Sequence, residues 1–276
     1  MIRETVTSFD PGWGELIDLD VLDSGDWAGV FRDGPNLFVR TAGSKSAAPD
    51  GIRFPLIRCL EPGRIALVDT RTQEDRTNAW ILCPQRNEIV EFFAGDGIQD
   101  VLANSDTIVV TYFDEGVFSR IRPGDEGVAV FDSRGHLRAG YRSTLGSRAV
   151  DIADCYAACW ESDWRIAFLP YTEFPLVRLD VRTFDQNVVQ TPRRLHGSSA
   201  ISVSREDALF FGPYDEKRSI LAWHSGGEIS SVGAHSGPLR GLQGGRFLTH
   251  GTSGFTIVEC GAAQQGVTAT GASPGS

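Results

Sequence analysis

Methionine occurs once in this 276-residue chain, and basic residues are in deficit, 26 Lys and Arg against 36 Asp and Glu. The net charge of −10 opposes long-range attraction to phosphate, which disfavours a general nucleic-acid role and binding to anionic membranes. Cysteine is sparse and odd in number: Cys59, Cys83, Cys155, Cys159 and Cys260 are scattered, unlike a disulfide framework or a zinc site. All five are expected to be free, buried thiols. Cys155 and Cys159 form C-x3-C, but on one extended strand they would share a face about 13 Å apart, too far to share a metal. No apolar run is long enough to cross a bilayer, and Met1-Ile2-Arg3-Glu4-Thr5 lacks the basic segment and apolar core of a secretion signal. The cytoplasm is the expected location.

The common catalytic signatures are missing too. There is no G-x-S-x-G elbow, no H-E-x-x-H, no phosphate-binding Gly-rich loop ending in Lys-Ser/Thr and no dinucleotide fingerprint. His136, His196, His224, His235 and His250 lie far apart and share no repeat position, so each reads as a structural histidine.

What is abundant is glycine, 31 residues, within an ordinary globular balance of 41% hydrophobic and 22% charged residues. That mixture suits many short strands joined by tight turns. An internal repeat supports it. Ile98-Gln99-Asp100-Val101-Leu102-Ala103 matches Ile152-Ala153-Asp154-Cys155-Tyr156-Ala157, and β-rich runs follow at 107–113 and 164–169. Both runs end in a tyrosine-acid turn, Tyr112-Phe113-Asp114-Glu115 and Tyr171-Thr172-Glu173. A third copy runs from Ser199 through the turn Tyr214-Asp215-Glu216, and each copy continues into an apolar strand and a hairpin such as Asp132-Ser133-Arg134-Gly135 or Ser225-Gly226-Gly227. Weaker copies flank these three.

Four short antiparallel strands per unit, repeated about six times, predict an all-β, single-domain β-propeller, with seven blades also within the count. The domain is expected over 1–260, and the Gly/Ala/Ser/Thr-rich stretch 261–276 as a disordered tail. The final unit lacks an evident fourth strand, so closure should use both chain ends, with Glu15 to Leu22 as the candidate strand. Over residues 15 to 260 the pattern resembles the superfamily of WD-repeat and related propellers, although no unit ends in Trp-Asp. The Asp154-Cys155-Tyr156-Ala157 and Tyr171-Thr172-Glu173-Phe174-Pro175-Leu176-Val177 segments are similar to those of uncharacterised bacterial propeller proteins. The resemblance implies a fold and no activity.

In such a blade the loop leading into the innermost strand and the turn between the second and third strands share one face of the disc. Asp100, Asp154, Asp114, Glu173 and Asp215 are therefore expected together with Tyr112, Tyr171 and Tyr214 on an acidic face, with Arg193, Arg194 and His196 as one basic intrusion. The 119–126 turn, longer than its counterparts, is a candidate recognition element. Repetition also fits a structural role, with the acids bonding to backbone N–H groups at strand ends. The leading functional expectation is a noncatalytic interaction protein without a cofactor, presenting this face to a protein partner with basic character; an intracellular inhibitor of immunity type is one form of it. The alternative is a metal-assisted hydrolase or lactonase, with one divalent cation held by Asp100, Asp154 and Glu173 over the channel.

Overall fold

The computed structural model describes residues 2–73, 76–204 and 207–260; the expected tail, 261–276, lies outside the described residues. Six four-stranded antiparallel sheets make a six-bladed β-propeller. Strand β1 (Ile2–Ser8) is set aside for closure, and blade 1 follows as β2 (Glu15–Val21), β3 (Trp27–Asp33), β4 (Asn36–Thr41) and β5 (Lys45–Ala47). Blade 2 is β6 (Pro55–Glu61), β7 (Arg64–Asp69), β8 (Ala79–Cys83) and β9 (Glu88–Phe92). Blade 3 is β10 (Ile98–Ala103), β11 (Thr107–Tyr112), β12 (Val128–Asp132) and β13 (Leu137–Gly140), with the short helix α1 (Asp114–Phe118) between its second and third strands. After α2 (Tyr141–Leu145), blade 4 is β14 (Asp154–Ser162), β15 (Arg165–Tyr171), β16 (Leu176–Asp180) and β17 (Gln186–Val189). Blade 5 is β18 (Ala200–Val203), β19 (Asp207–Phe211), β20 (Ser219–His224) and β21 (Ile229–Ala234), and blade 6 holds β22 (Arg240–Leu242), β23 (Arg246–Gly251) and β24 (Gly254–Cys260).

Burial explains the sequence pattern. Second strands are covered by neighbouring blades on both faces, so β11 reads Thr-Ile-Val-Val-Thr-Tyr without alternation and is buried throughout. Outermost strands such as β9 and β17 are mostly exposed. The apolar clusters lie between blades: one joins blades 1 and 2 around Ile57 and Val30, and another joins blades 1 and 6 around Leu19, Phe31 and Phe255. At one position the ring tolerates no side chain, since a Cβ on Gly241 would lie 1.7 Å from the Ile201 carbonyl oxygen of the adjacent inner strand.

Closure does use both chain ends, through a different strand from the expected one. β1 pairs antiparallel with β24 from Ile2 opposite Cys260 to Ser8 opposite Gly254, whereas the segment 15–22 forms β2, the innermost strand of blade 1. The sequence of β1, Ile-Arg-Glu-Thr-Val-Thr-Ser, is largely exposed, so it lacks the apolar pattern by which the other strands announce themselves. Phe9 and Trp13 just after it pack against Trp27 and Phe31, sealing the junction.

The channel at the centre of the ring is occupied by charge. Arg58 on β6 donates to Asp18 of β2 at 2.8 Å, to Asp100 of β10 at 2.5 Å, and to the carbonyls of Ile57 and Val101, each at 2.6 Å. Asp20, two residues along β2, accepts from Arg240 of β22 at 2.6 Å and from the Cys59 amide at 2.9 Å. Burial by itself would lower the Arg58 pKa, but the carboxylates of Asp18, Asp100 and Asp20 more than reverse this and hold it above its ordinary value. One guanidinium thus ties the inner strands of blades 1, 2 and 3. Removing one member of a buried pair leaves the others uncompensated, typically at a cost of about 3–5 kcal/mol. Arg58→Ala is therefore expected to lower the urea unfolding midpoint sharply, while Arg194→Ala, which breaks the exposed pair with Glu216, should leave it almost unchanged. Equal midpoints for the two variants would remove Arg58 from its central place.

Candidate functional site

Two hollows open on the channel, one at each face. The hollow of about 360 Å³ lies at the end where the inner strands begin, and is lined by Gln99, Asp100, Tyr156, Ser199 and Leu239 among others. The second, about 410 Å³, opens among the opposite hairpins beside Asn104, Trp160, Asp163 and Gln243. Arg58 and Arg240 line both, so their side chains stand between the two ends of the channel. The first end is called the mouth face below.

The strand order places Asp114, Glu173, Asp215, Tyr171 and Tyr214 on the mouth face with the loop 193–196, as the repeat implied. Tyr112 is a correction. It is fully buried, with its hydroxyl donating to the Ala94 carbonyl, because the loop 93–97 folds over that end of blade 3. Asp100 is on the inner strand as expected, yet its carboxylate is committed to Arg58 and to the Val101 amide.

Strand register separates Asp100 from Asp154, which the repeat had aligned. Ile98 lies opposite Tyr112 and Asp154 opposite Tyr171, while Val101 faces Val110 as Ala157 faces Leu169. The counterpart of Asp100 is therefore Tyr156, and Asp154 stands further out on the rim. β10 carries one extra residue in a bulge, Gln99, and β14 carries two, Tyr156 and Glu161, and a bulge reverses the faces that follow it. That is why Cys155 packs in the cluster of blades 2 to 4 and Cys159 in the cluster of blades 4 and 5, on opposite faces where an unbroken strand would put them on one. All five cysteines are free, but only Cys59, Cys155 and Cys159 are buried, Cys83 and Cys260 being half-buried on β8 and β24; burial pushes the Cys159 thiol up to about 12, which makes it unreactive at neutral pH.

Around Tyr156 an aromatic cluster had escaped the sequence reading. Phe174, 2% exposed, is the hub: its ring centre lies 4.9 Å from Tyr156, 5.5 Å from Tyr171, 5.6 Å from Tyr214 and 5.3 Å from His196. Tyr156 stacks on Tyr171, and the Tyr214 hydroxyl donates to the Tyr156 hydroxyl at 2.7 Å. Gly197, at φ +72°, supports the far side, for a Cβ there would come within 2.4 Å of the Tyr214 ring. Phe174 itself has φ +50°, a left-handed backbone that a bulky residue adopts only when its surroundings impose it. The Phe-Pro pair after Glu173 and the glycine before Ser198 were the available signals.

Many acids of this face are already neutralised. Arg71 bridges Asp96 and Glu115, Arg122 pairs with Glu126, and Arg194 makes a two-point contact with Glu216 at 2.6 and 3.3 Å. His196 bonds to the Thr191 carbonyl, so of the basic intrusion Arg193 alone extends freely. The 119–126 turn folds back over the outer strand of its own blade and α2, with Glu126 buried beneath Gly140 and bonded to the Ser143 amide, while Ile121, and Phe118 just before the turn, project outward. Among the described residues Asp114, Asp154, Glu173 and Asp215 make no ion pair. Nor do Asp100, Asp154 and Glu173 converge: among the described residues no group of three or more His, Cys, Asp or Glu side chains is placed to hold a metal ion. No described helix is long and apolar enough to cross a membrane.

Exposed apolar side chains discriminate between the faces more sharply than charge. Phe54, Phe118, Ile121 and Tyr214 are exposed on mouth-face connections and Tyr171 at the mouth-face end of β15; Val6, Ile89, Val90, Leu137, Val188 and Val189 are exposed on outermost strands. Among the described residues no large apolar side chain is exposed on the opposite hairpins. There, Asp132 is spent on turn geometry: burial would raise its pKa, but bonds from the His136 and Arg134 amides, then from the His136 ring and Arg138, bring it down to about 2.

No protein-family model matches the chain, and no curated protein matches it in sequence. Solved structures are similar in fold. A virginiamycin B lyase from Staphylococcus aureus superposes with a TM-score of 0.54 at 9% identity, covering 94% of this chain and 99% of that one. The PQQ-bound aldose sugar dehydrogenase from Streptomyces coelicolor gives 0.54 at 10% identity over 94% and 98% of the two chains. The WD40 repeats of RRP9 give 0.55 at 10% identity over 88% and 79%. A lyase, a dehydrogenase and a repeat domain share this architecture, so the likeness carries the propeller fold and no activity.

Asp154 gives this site a pH signature. Burial, and then the nearby charge of Asp114, raise its pKa above the usual carboxylate range, and one of its oxygens is buried without a hydrogen-bond partner. A raised folded-state pKa means that stability is full below the unfolded value of about 3.9 and falls as pH rises through the folded one. Asp154→Asn, which cannot ionise, should therefore gain stability relative to the parent between pH 3 and pH 7, read as the change in the difference of urea midpoints. A difference constant across that range would mean that Asp154 ionises without penalty.

Proposed function

We propose that this chain is a noncatalytic binding propeller that docks a protein partner of basic character on its mouth face. The observation that carries this reading is the placement of the exposed apolar side chains: four lie on the connections of that face with Tyr171 beside them at the end of β15, while among the described residues none lies within the opposite hairpins and Leu137 alone adjoins one. Exposed apolar groups scattered singly are ordinary, but aromatic residues gathered on one rigid face, beside acids with no ion pair, match the composition of recognition surfaces. Tyrosine adds to this because it offers a broad, stiff contact area at little entropic cost.

Charge supplies the sign of the partner. The net charge is −10, and Asp114, Asp154, Glu173 and Asp215 add local negative potential that steers a basic molecule toward this face. Inhibition of a basic enzyme inside the cell is one role that such a surface serves.

Slower association with the native partner, and a shallower dependence on salt, are expected for Glu173→Lys/Asp215→Lys in surface plasmon resonance. Both side chains are exposed, so the fold should survive. A matched change on the opposite hairpins, Arg134→Glu/Glu228→Lys, should leave binding unaltered. Binding that ignores the first pair and is lost with the second would place the interface on the wrong side of the disc.

A further inference from the structure

We infer that the rim formed by Asp154, Tyr171 and Tyr156 is the anchor point of this face and receives a single arginine side chain, its guanidinium lying on the Tyr171 ring and bonded to the Asp154 carboxylate. The inference rests on the binding reading above and sharpens it to one residue of the partner.

Three observations converge. Asp154 and Tyr171 are direct cross-strand partners of β14 and β15, which places their side chains on the same face and side by side. Tyr171 is 41% exposed, and its ring is backed by Tyr156, inclined by 24° with 6.0 Å between centres, and by the edge contact with Phe174, so a stiffly held aromatic ring is partly open to solvent. Asp154 is half-buried and has no ion pair among the described residues, and one of its carboxylate oxygens is enclosed without a donor, although buried polar groups are nearly always satisfied, so the carboxylate is under-satisfied as it stands. A group that supplies both a cation for the ring and N–H donors for the carboxylate completes this arrangement.

Arginine fits better than the alternatives. Its planar guanidinium stacks on an aromatic face and donates to a carboxylate in the same pose, whereas a lysine ammonium is a strongly hydrated point charge. A bare divalent cation would need several converging oxygen ligands, and no such set exists among the described residues. Rigidity favours a small anchor here. Tyr156 is held from above by the Tyr214 hydroxyl and from the side by Phe174, so little ordering is left to be done on binding. The cost of keeping Asp154 poised fits the same picture, since sites built for a ligand are commonly less stable without it.

The test uses the full chain with 13Cε-labelled tyrosine and three small probes: N-acetyl-arginine methylamide, its lysine counterpart, and the citrulline compound as a neutral isostere of arginine. The protein has five tyrosines, and Tyr112 and Tyr141 are fully buried, serving as internal controls. Arginine should shift the Tyr171 and Tyr156 signals saturably, lysine more weakly and citrulline not at all, with the buried pair unmoved. Asp154→Asn should weaken arginine roughly tenfold or more, the loss expected for one charge-assisted contact, and Tyr171→Leu should do likewise if Asp154→Asn alters the rim itself. Equal shifts with arginine and citrulline, or unchanged arginine affinity in both variants, overturn the inference. A native partner held normally by Asp154→Asn but lost with Glu173→Lys/Asp215→Lys sinks the arginine anchor and leaves the binding face standing. A partner that ignores both sets of substitutions sinks the wider reading and with it the anchor, even where free arginine binds saturably.

Discussion

Arg58 is the charge on which the ring is organised. A propeller has no single continuous core; its apolar clusters lie between neighbouring blades, and its axis is where six inner strands must meet without a side chain large enough to fill the gap. Here blades 1 and 3 present equivalent aspartates, Asp18 and Asp100, to the guanidinium of the blade between them. Asp20 and Arg240 extend the network to blade 6. Blade 4 is tied to blade 3, and blade 5 to blade 6, by neutral bonds: the Trp160 indole donates to the Ala103 carbonyl, and Ser202 donates to the Leu242 carbonyl at 2.6 Å. Buried ion networks of this kind are valued for register more than for net stability, because misplacing one member strands the others in a poor dielectric.

That arrangement has a functional corollary. With Arg58 and Arg240 standing between its two hollows, the channel is structural, and chemistry-bearing residues that face it are spoken for. Asp100 shows this directly. What remains available lies on the rim, where Tyr156 replaces the aspartate of blades 1 and 3, Phe174 accepts a left-handed backbone, and Asp154 carries an unanswered oxygen. Departure from the blade pattern and local strain therefore coincide on one sector, blades 4 and 5 of the mouth face.

Much of this was legible in the sequence. Tyrosine-acid turns at 112–115, 171–173 and 214–216 recur because each blade must turn at the same height, and they fixed both the fold and the sharing of a face by these turns. The closing strand was not legible, since β1 is exposed and pairs through its backbone, leaving only a weak apolar signature. The offset between Asp100 and Asp154 was hidden by a longer β14–β15 hairpin, which runs from Ala157 to its partner Leu169 where blade 3 runs only from Val101 to Val110, and a local match of Ile-x-Asp does not register it. Arg58 was overlooked although its position carried a clue: it interrupts the apolar run Leu56-Ile57-Arg58-Cys59-Leu60, and Asp18 and Asp20 are spaced as two same-face positions on a strand. A charge in the middle of an innermost strand demands a partner from another blade, and the sequence order alone does not say which.

The most direct measurement is carbene footprinting of the protein free and in complex with its native partner, because it reads side-chain shielding residue by residue without altering the chain. Shielding centred on Tyr171 and Tyr214 and reaching Phe54 or Phe118, with the hairpins at 132–136 and 225–228 still labelled, is the predicted result. Shielding confined to those hairpins or to the outermost strands, with both tyrosines labelled as in the free protein, would contradict the account.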